Sequence, residues 1–210
     1  MKNQAPATSS KIRVKVMATI PTPVLRHQLP GDIPEWGNCQ FSFDPEDSGY
    51  DWLVVYDDLP AKHGEARKHR REKLACPASH TLLTTSEPSS IKHFGNTYVR
   101  QFGCVITSQE EWALPHPDRI FSQAGLHWFY GVGSQRIIPF DDIVAHPPLN
   151  KTHDLSMVFS PKRMRHTLHH QRFNFMRELM RLLPEMHVYG RGARPLDDKA
   201  EALDAYRYSV

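Results

Sequence analysis

The last third of the chain constrains the fold most, because its elements alternate. Residues 154–159 (DLSMVF) form a short apolar run of strand type. A basic loop over 160–167 leads to a helical pattern from about 169 to 183, and Pro184 ends it. A second strand follows at 187–189, then a turn at 190–195, a second helix at 197–205 and a third strand from 206. Strand, helix, strand, helix, strand is the order of a parallel α/β sheet, since parallel strands need crossover connections.

The earlier sequence is of the same kind but less regular. Residues 11–18 (KIRVKVMA) alternate charged and apolar side chains, and 38–43 and 52–56 are short β-favouring runs. Asp57-Asp58-Leu59-Pro60 closes the latter, and Ser86-Glu87-Pro88 breaks a further strand at 80–85. Residues 98–107 return to the sheet. Residues 112–131 are rich in aromatics, Pro, His and Gly without a period, and read as an ordered loop. Residues 141–150 read as a linker, because Pro147-Pro148 stops any helix before them. The expected organisation is a polar, disordered tail over 1–10, an N-terminal α/β domain over 11–148, and the start of a second α/β domain over 149–210.

Charge and cysteine usage narrow the function classes. The formal net charge is only +3, so nucleic acid is not the indicated partner. The basic stretch 62–73 reads as a solvated helix or loop rather than a binding patch. Three cysteines, widely spaced, suggest thiols in a cytoplasmic protein. No run is apolar enough for a signal peptide or a membrane span, so a cytoplasmic protein is expected, with peripheral attachment to a membrane surface left open. Thirteen histidines include His166 and His170 at helical spacing, yet neither HExxH nor a Cys pair supplies further ligands, so no metal is expected.

The cations concentrate in one place. Residues 151–194 hold nine Lys or Arg against three acids, an excess larger than the charge of the whole chain. Lys162, Arg163, Arg165 and Arg172 lie in or just after the first strand-to-helix turn, beside Ser160. In a parallel sheet that turn sits at the carboxyl edge, where ligands bind, and the helix directs free N–H groups there. A diphosphate suits such a turn. Arg172 falls on an apolar stripe of Leu168, Phe175, Met176, Leu179 and Leu183, so a buried or cleft-facing guanidinium is expected, held by an anionic ligand or by a structural carboxylate. Neither a P-loop nor a dinucleotide fingerprint occurs. Glu87, at the carboxyl end of a strand, is a candidate general base, or else simply caps that end. Trp112, Trp128 and Tyr130 offer faces for sugar stacking, or pack their own loop.

Two segments carry a family resemblance. HTLLTTSEPSSIKHFGNTYVRQFGCVITSQ with WALPHPDRIFSQAGLHWFYG resembles the acceptor-side domain of bacterial family 10 glycosyltransferases, the α-1,3/1,4-fucosyltransferases. SMVFSPKRMRHTLHHQRFNF through HVYGRGARPLDDKAEALDAYRYSV is similar to the beginning of their donor-binding domain. The resemblance implies a GT-B arrangement of two Rossmann-like domains, the second incomplete here. It also implies inverting, metal-independent transfer of fucose from GDP-fucose to a hydroxyl of an acceptor oligosaccharide, with no further cofactor. Glu87 matches the family's acceptor-activating glutamate and Arg172 its diphosphate-binding arginine, while Ser160 and Lys162 belong to the loop that approaches the donor. The family's following Glu-Asn strand and Thr-Glu-Lys segment have no counterpart before Val210. The expectation is therefore a truncated chain with weak or no activity alone, the alternative being a non-catalytic glycan-binding remnant.

Overall fold

A computed structural model describes residues 11–60 and 71–210. The tail over 1–10 and most of the basic stretch over 62–73 lie outside the described residues. The described chain divides into two compact units, one of residues 11–21, 33–60, 71–89 and 93–125, the other of 22–32, 90–92 and 126–210. Residues 126–148, which the sequence places in the N-terminal domain, thus pack with the second unit. Each unit is an α/β assembly on a wholly or mostly parallel sheet.

The first unit is built on a seven-stranded sheet in the order β2-β3-β1-β4-β5-β6-β7. Its strands are β1 (Ile12–Ala18), β2 (Glu35–Trp36), β3 (Cys39–Ser42), β4 (Trp52–Tyr56), β5 (Thr81–Thr84), β6 (Cys104–Thr107) and β7 (Arg119–Phe121). Only β2 with β3 is antiparallel. The chain adds β3 on one side of β1 and β4 on the other, the reversal that creates a crevice at carboxyl ends in open α/β sheets. Met17, Leu53, Val55, Leu83, Val99, Val105 and Leu114 form the core. Lys15 is buried with them at 1 % exposure. Its Nζ donates to the carbonyls of Pro45 (2.7 Å) and Asp47 (2.9 Å) and to Glu72 Oε1 (2.7 Å), so all three protons are used.

The second unit holds a three-stranded parallel sheet, β10-β8-β9, made of β8 (His153–Phe159), β9 (His187–Gly190) and β10 (Tyr206–Ser209). Helices α1 (Thr22–Arg26) and α3 (Phe140–Ala145) belong to this unit, and α2 (Asn96–Val99) to the first. Helix α4 (Leu168–Leu182) connects β8 to β9. Thr167 caps it, its hydroxyl accepting the His169 N–H at 3.1 Å, and Leu183-Pro184 closes it. Met157, Met176 and Met186 centre the core, with Leu155, Phe159, Leu179, Leu183 and Val188 around them.

Four local expectations change. Residues 98 and 99 belong to α2, so the strand there is shorter and begins at Cys104. The aperiodic stretch 112–131 contains β7, and the linker contains α3, which the chain leaves just before Pro147-Pro148. The second helix of the last third is a single 3-10 turn, Lys199–Ala202, with a capping box between Asp198 and Glu201. The chain is mixed α/β with a mostly parallel seven-stranded sheet, compatible with a Rossmann-like fold.

Lys15→Met should lower the unfolding free energy by about 3 kcal/mol, because Glu72 and two carbonyls lose a buried cationic donor. Urea denaturation measures this, and a loss below about 1 kcal/mol would show that the ammonium is dispensable.

Candidate active site

Strands β8 and β9 end together, Phe159 beside Gly190, and the chain turns sharply after each. Gly190 has φ 109°, and a Cβ there would overlap the Phe159 carbonyl oxygen, so only glycine brings the two ends this close. The turn beyond it is tight: Gly190 N–H donates to Arg194 O at 2.6 Å, and Ala193 N–H to Gly190 O at 3.1 Å. Between the two exits lies a cavity of about 490 Å³, lined among others by Phe159, Ser160, Lys162, Gly190, Arg191 and Gly192. It stands at the carboxyl edge of a parallel sheet, where the sequence led us to expect a ligand.

The five cationic and hydroxyl residues expected here divide by role. Ser160 and Lys162 line the cavity. Arg163 lies with its guanidinium 4.0 Å from the Phe173 ring centroid, and Arg177 lies 5.8 Å from the same ring. Arg163 therefore anchors the start of α4 by a cation–π contact. Arg165 is exposed and does not line the cavity. None of Lys162, Arg163, Arg165, Arg172 and Arg191 is paired with a carboxylate among the described residues.

Arg172 requires a correction. It is exposed, not part of a buried stripe. The buried side of α4 is carried by Phe173 and Met176, with Leu179 and Leu183 beside them, whereas Leu168 and Phe175 are 68 % and 59 % exposed. Arg172 Nη2 sits 3.1 Å from His169 Nδ1, and because arginine only donates, that imidazole nitrogen is the acceptor. His170 makes a similar local contact, Nε2 to Asn174 Nδ2 at 3.2 Å, and His166 occupies a left-handed turn at φ 65°. No group of three or more His, Cys, Asp or Glu suited to a metal occurs among the described residues.

Sequence reasoning missed Arg191, which shares the cavity with Lys162. The Gly-Arg-Gly triplet directly after a strand is the signal that identifies it: glycines on both sides take positive φ and leave the arginine at the rim.

Glu87 belongs to the first unit and stands half-buried beyond the carboxyl end of β5, its carbonyl accepting from Gln109 Nε2 at 2.8 Å. Of the aromatic residues considered for sugar contact, Trp128 stacks on Phe140 at 6.0 Å and meets His27 edge-on. Tyr130 donates to Asp204 Oδ1 at 2.8 Å. Both make contacts within the second unit, although Trp128 remains 43 % exposed. Trp112 is 76 % exposed in the first.

A hydrogen-bonded chain links β10 to β9 within this sheet. Tyr206 is buried, its Oη 2.7 Å from Tyr189 Oη and 2.6 Å from His187 Nδ1. Burial, with the Tyr189 contact, pushes the Tyr206 phenol from 10.0 up to about 12. Burial, joined by the hydrogen bond to Asp204, does the same to Tyr130, also to about 12. Desolvation, together with Arg194 and His153, pushes the His187 imidazole below its usual 6.5.

No family model, curated protein or solved structure matches the chain. No helix among the described residues is long and apolar enough to cross a membrane.

These shifts set a pH window. The raised phenols favour their neutral form when folded, so their stabilisation is complete below pH 10 and is lost as pH rises toward about 12. The lowered His187 contributes above pH 6.5 and is lost as pH falls below it. Urea titrations across pH 5–12 should show this plateau with loss on both sides. Replacing Tyr130 and Tyr206 together by Phe should shrink the alkaline limb, leaving the share of Tyr50, Cys76 and Cys104, which burial also raises, and an unchanged limb would assign it to those groups.

Proposed function

We propose that the chain is a glycosyltransferase of the fucosyltransferase type, with two Rossmann-like domains in the GT-B manner. In this reading the second unit binds GDP-fucose, and Glu87 of the first activates a hydroxyl of an acceptor oligosaccharide. The observation that carries the reading is the cationic cavity between the exits of β8 and β9, whose Lys162 and Arg191 have no carboxylate partner among the described residues. A diphosphate supplies the missing charge, and its oxygens match guanidinium and ammonium donors. Arg172, exposed on the second turn of α4 and outside the cavity lining, adds a further donor on the helix side.

The chemistry is a single displacement. Glu87 takes the proton of the acceptor hydroxyl, whose oxygen attacks the anomeric carbon of fucose from the face opposite the nucleotide. The bond from that carbon to the β-phosphate oxygen breaks, the configuration inverts, and GDP leaves. Its growing negative charge is stabilised by Lys162, Arg172 and Arg191 without a metal ion. The cytoplasmic location expected from the sequence belongs to this proposal, as does contact with a membrane surface that carries the acceptor. Trp112, exposed beyond β6, favours glycan contact through one aromatic face, which a non-catalytic glycan binder would also use.

Calorimetry with GDP tests the donor half. Lys162→Ala, Arg172→Ala and Arg191→Ala should each weaken binding about tenfold, roughly 1.4 kcal/mol, while Arg177→Ala, against Phe173, leaves it within about twofold. Glu87→Gln should abolish fucose transfer with GDP affinity retained. Equal affinity in all four cationic variants, or full turnover without the Glu87 carboxylate, would remove the assignment.

A further inference from the structure

The turn that carries Glu87 is held more firmly than a change of chain direction requires. Three consecutive residues, 85 to 87, are each gripped by the exit of a neighbouring strand. Thr85 Oγ1 lies 2.7 Å from Thr107 Oγ1 at the end of β6, and Thr85 N–H donates to Ile106 O at 3.1 Å. Ser86 spends both its donors on Asp57, just beyond β4: its N–H donates to Oδ1 at 2.9 Å and its hydroxyl to Oδ2. Glu87 O accepts from Gln109 Nε2 at 2.8 Å, and the Gln109 N–H is itself bound to Thr107 Oγ1 at 3.0 Å. Thr85, Ser86, Thr107 and Gln109 are all buried.

Asp57 is the unusual member. Its φ is +60°, a left-handed backbone that side chains other than Gly, Asn and Asp rarely adopt. The surroundings enforce it: Asp57 N–H donates to Thr84 O at 2.9 Å, and Asp57 O accepts from Tyr98 Oη at 3.1 Å. That conformation is what turns the carboxylate back across the sheet edge toward Ser86. A residue whose only task is to end β4 needs neither the left-handed backbone nor both carboxylate oxygens on one neighbour. We propose that Asp57 is a positioning residue which, through Ser86, fixes the place of the Glu87 carboxylate. The inference rests on the reading of Glu87 as the acceptor-activating base.

The substitutions separate strain from the clamp. Asp57→Gly keeps the left-handed backbone and deletes the carboxylate, whereas Asp57→Asn keeps both the backbone preference and one acceptor. Ser86→Ala leaves Asp57 in place and deletes half the clamp, which serves if the glycine variant fails to fold. Amide exchange of Ser86 should quicken about tenfold in Asp57→Gly, with that of Leu83 in β5 unchanged. Transfer from GDP-fucose to N-acetyllactosamine should lose about tenfold in kcat with GDP affinity unaltered, Ser86→Ala should fall between, and Asp57→Asn should recover to within about threefold. Unchanged Ser86 exchange in Asp57→Gly overturns the proposal, and so does a loosened turn with undiminished kcat. If the unaltered chain transfers nothing, the exchange of Ser86 decides whether Asp57 holds the turn: quickened in Asp57→Gly and restored in Asp57→Asn supports the clamp, and an unchanged rate overturns it.

Discussion

Parallel pairing is the constraint on which the rest of this structure depends. Every strand pairing described except β2 with β3 is parallel, so strands leave their sheet at a common edge and no tight hairpin links them. Each exit frees backbone N–H and C=O groups that the ladder no longer satisfies, and a protein interior does not tolerate them unpaired. The first unit answers by having exits satisfy one another, with Asp57, Thr85, Thr107 and Gln109 bridging β4, β5 and β6. The second leaves its exits open to a cavity bordered by cations. Polar chemistry gathers at these edges because the ladders end there.

Strands that are half buried and closed by a breaker were legible from sequence. β1, β4, β5 and β8 each combine apolar or β-branched runs with a following turn signal, and the end of α4 is set by Pro184. β7 was not legible, because it is three residues at a sheet edge with Ile120 and Phe121 52 % and 67 % exposed. Its pairing with β6 rests on backbone hydrogen bonds, which leave no hydrophobic period. The unit boundary was hidden for a different reason. Pro147-Pro148 punctuates the chain, yet residues before it are claimed by distant partners. Gly31 N–H donates to Asp141, and His27 Nδ1 lies 3.0 Å from Ile138 O. Contacts separated by more than a hundred residues leave no local trace.

The misplacement of Arg172 has a geometric origin. Helix α4 carries apolar residues over a wide arc, so a stripe through Leu168 and Phe175 fits the period about as well as one through Phe173 and Met176. A broad sheet would cover both. This sheet has three strands, and it covers the arc of Phe173 and Met176 while Leu168 and Phe175 stay exposed. Arg172 is adjacent in sequence to the most constrained residue of the helix, yet it points away from the core and reaches His169. The sequence period was right, and the width of the surface beneath it decided the register.

Once the cations are sorted by what they touch, the site and the packing cannot be separated. Arg163 is bound to the Phe173 ring, Arg181 to Glu178, and Arg207 to Asp154, whereas Lys162 and Arg191 border the cavity. Their mutual repulsion is modest while both are solvated and grows if water is displaced by anything but an anion. What holds them near one another is the meeting of Phe159 and Gly190, since Lys162 follows one strand by three residues and Arg191 follows the other by one. A side chain at position 190 would collide with the Phe159 carbonyl and force β9 away from β8. The same displacement would carry Arg191 off the cavity and loosen Val188 from the methionine core. The glycine that permits close strand packing is therefore also the residue that sets the spacing of the two charges.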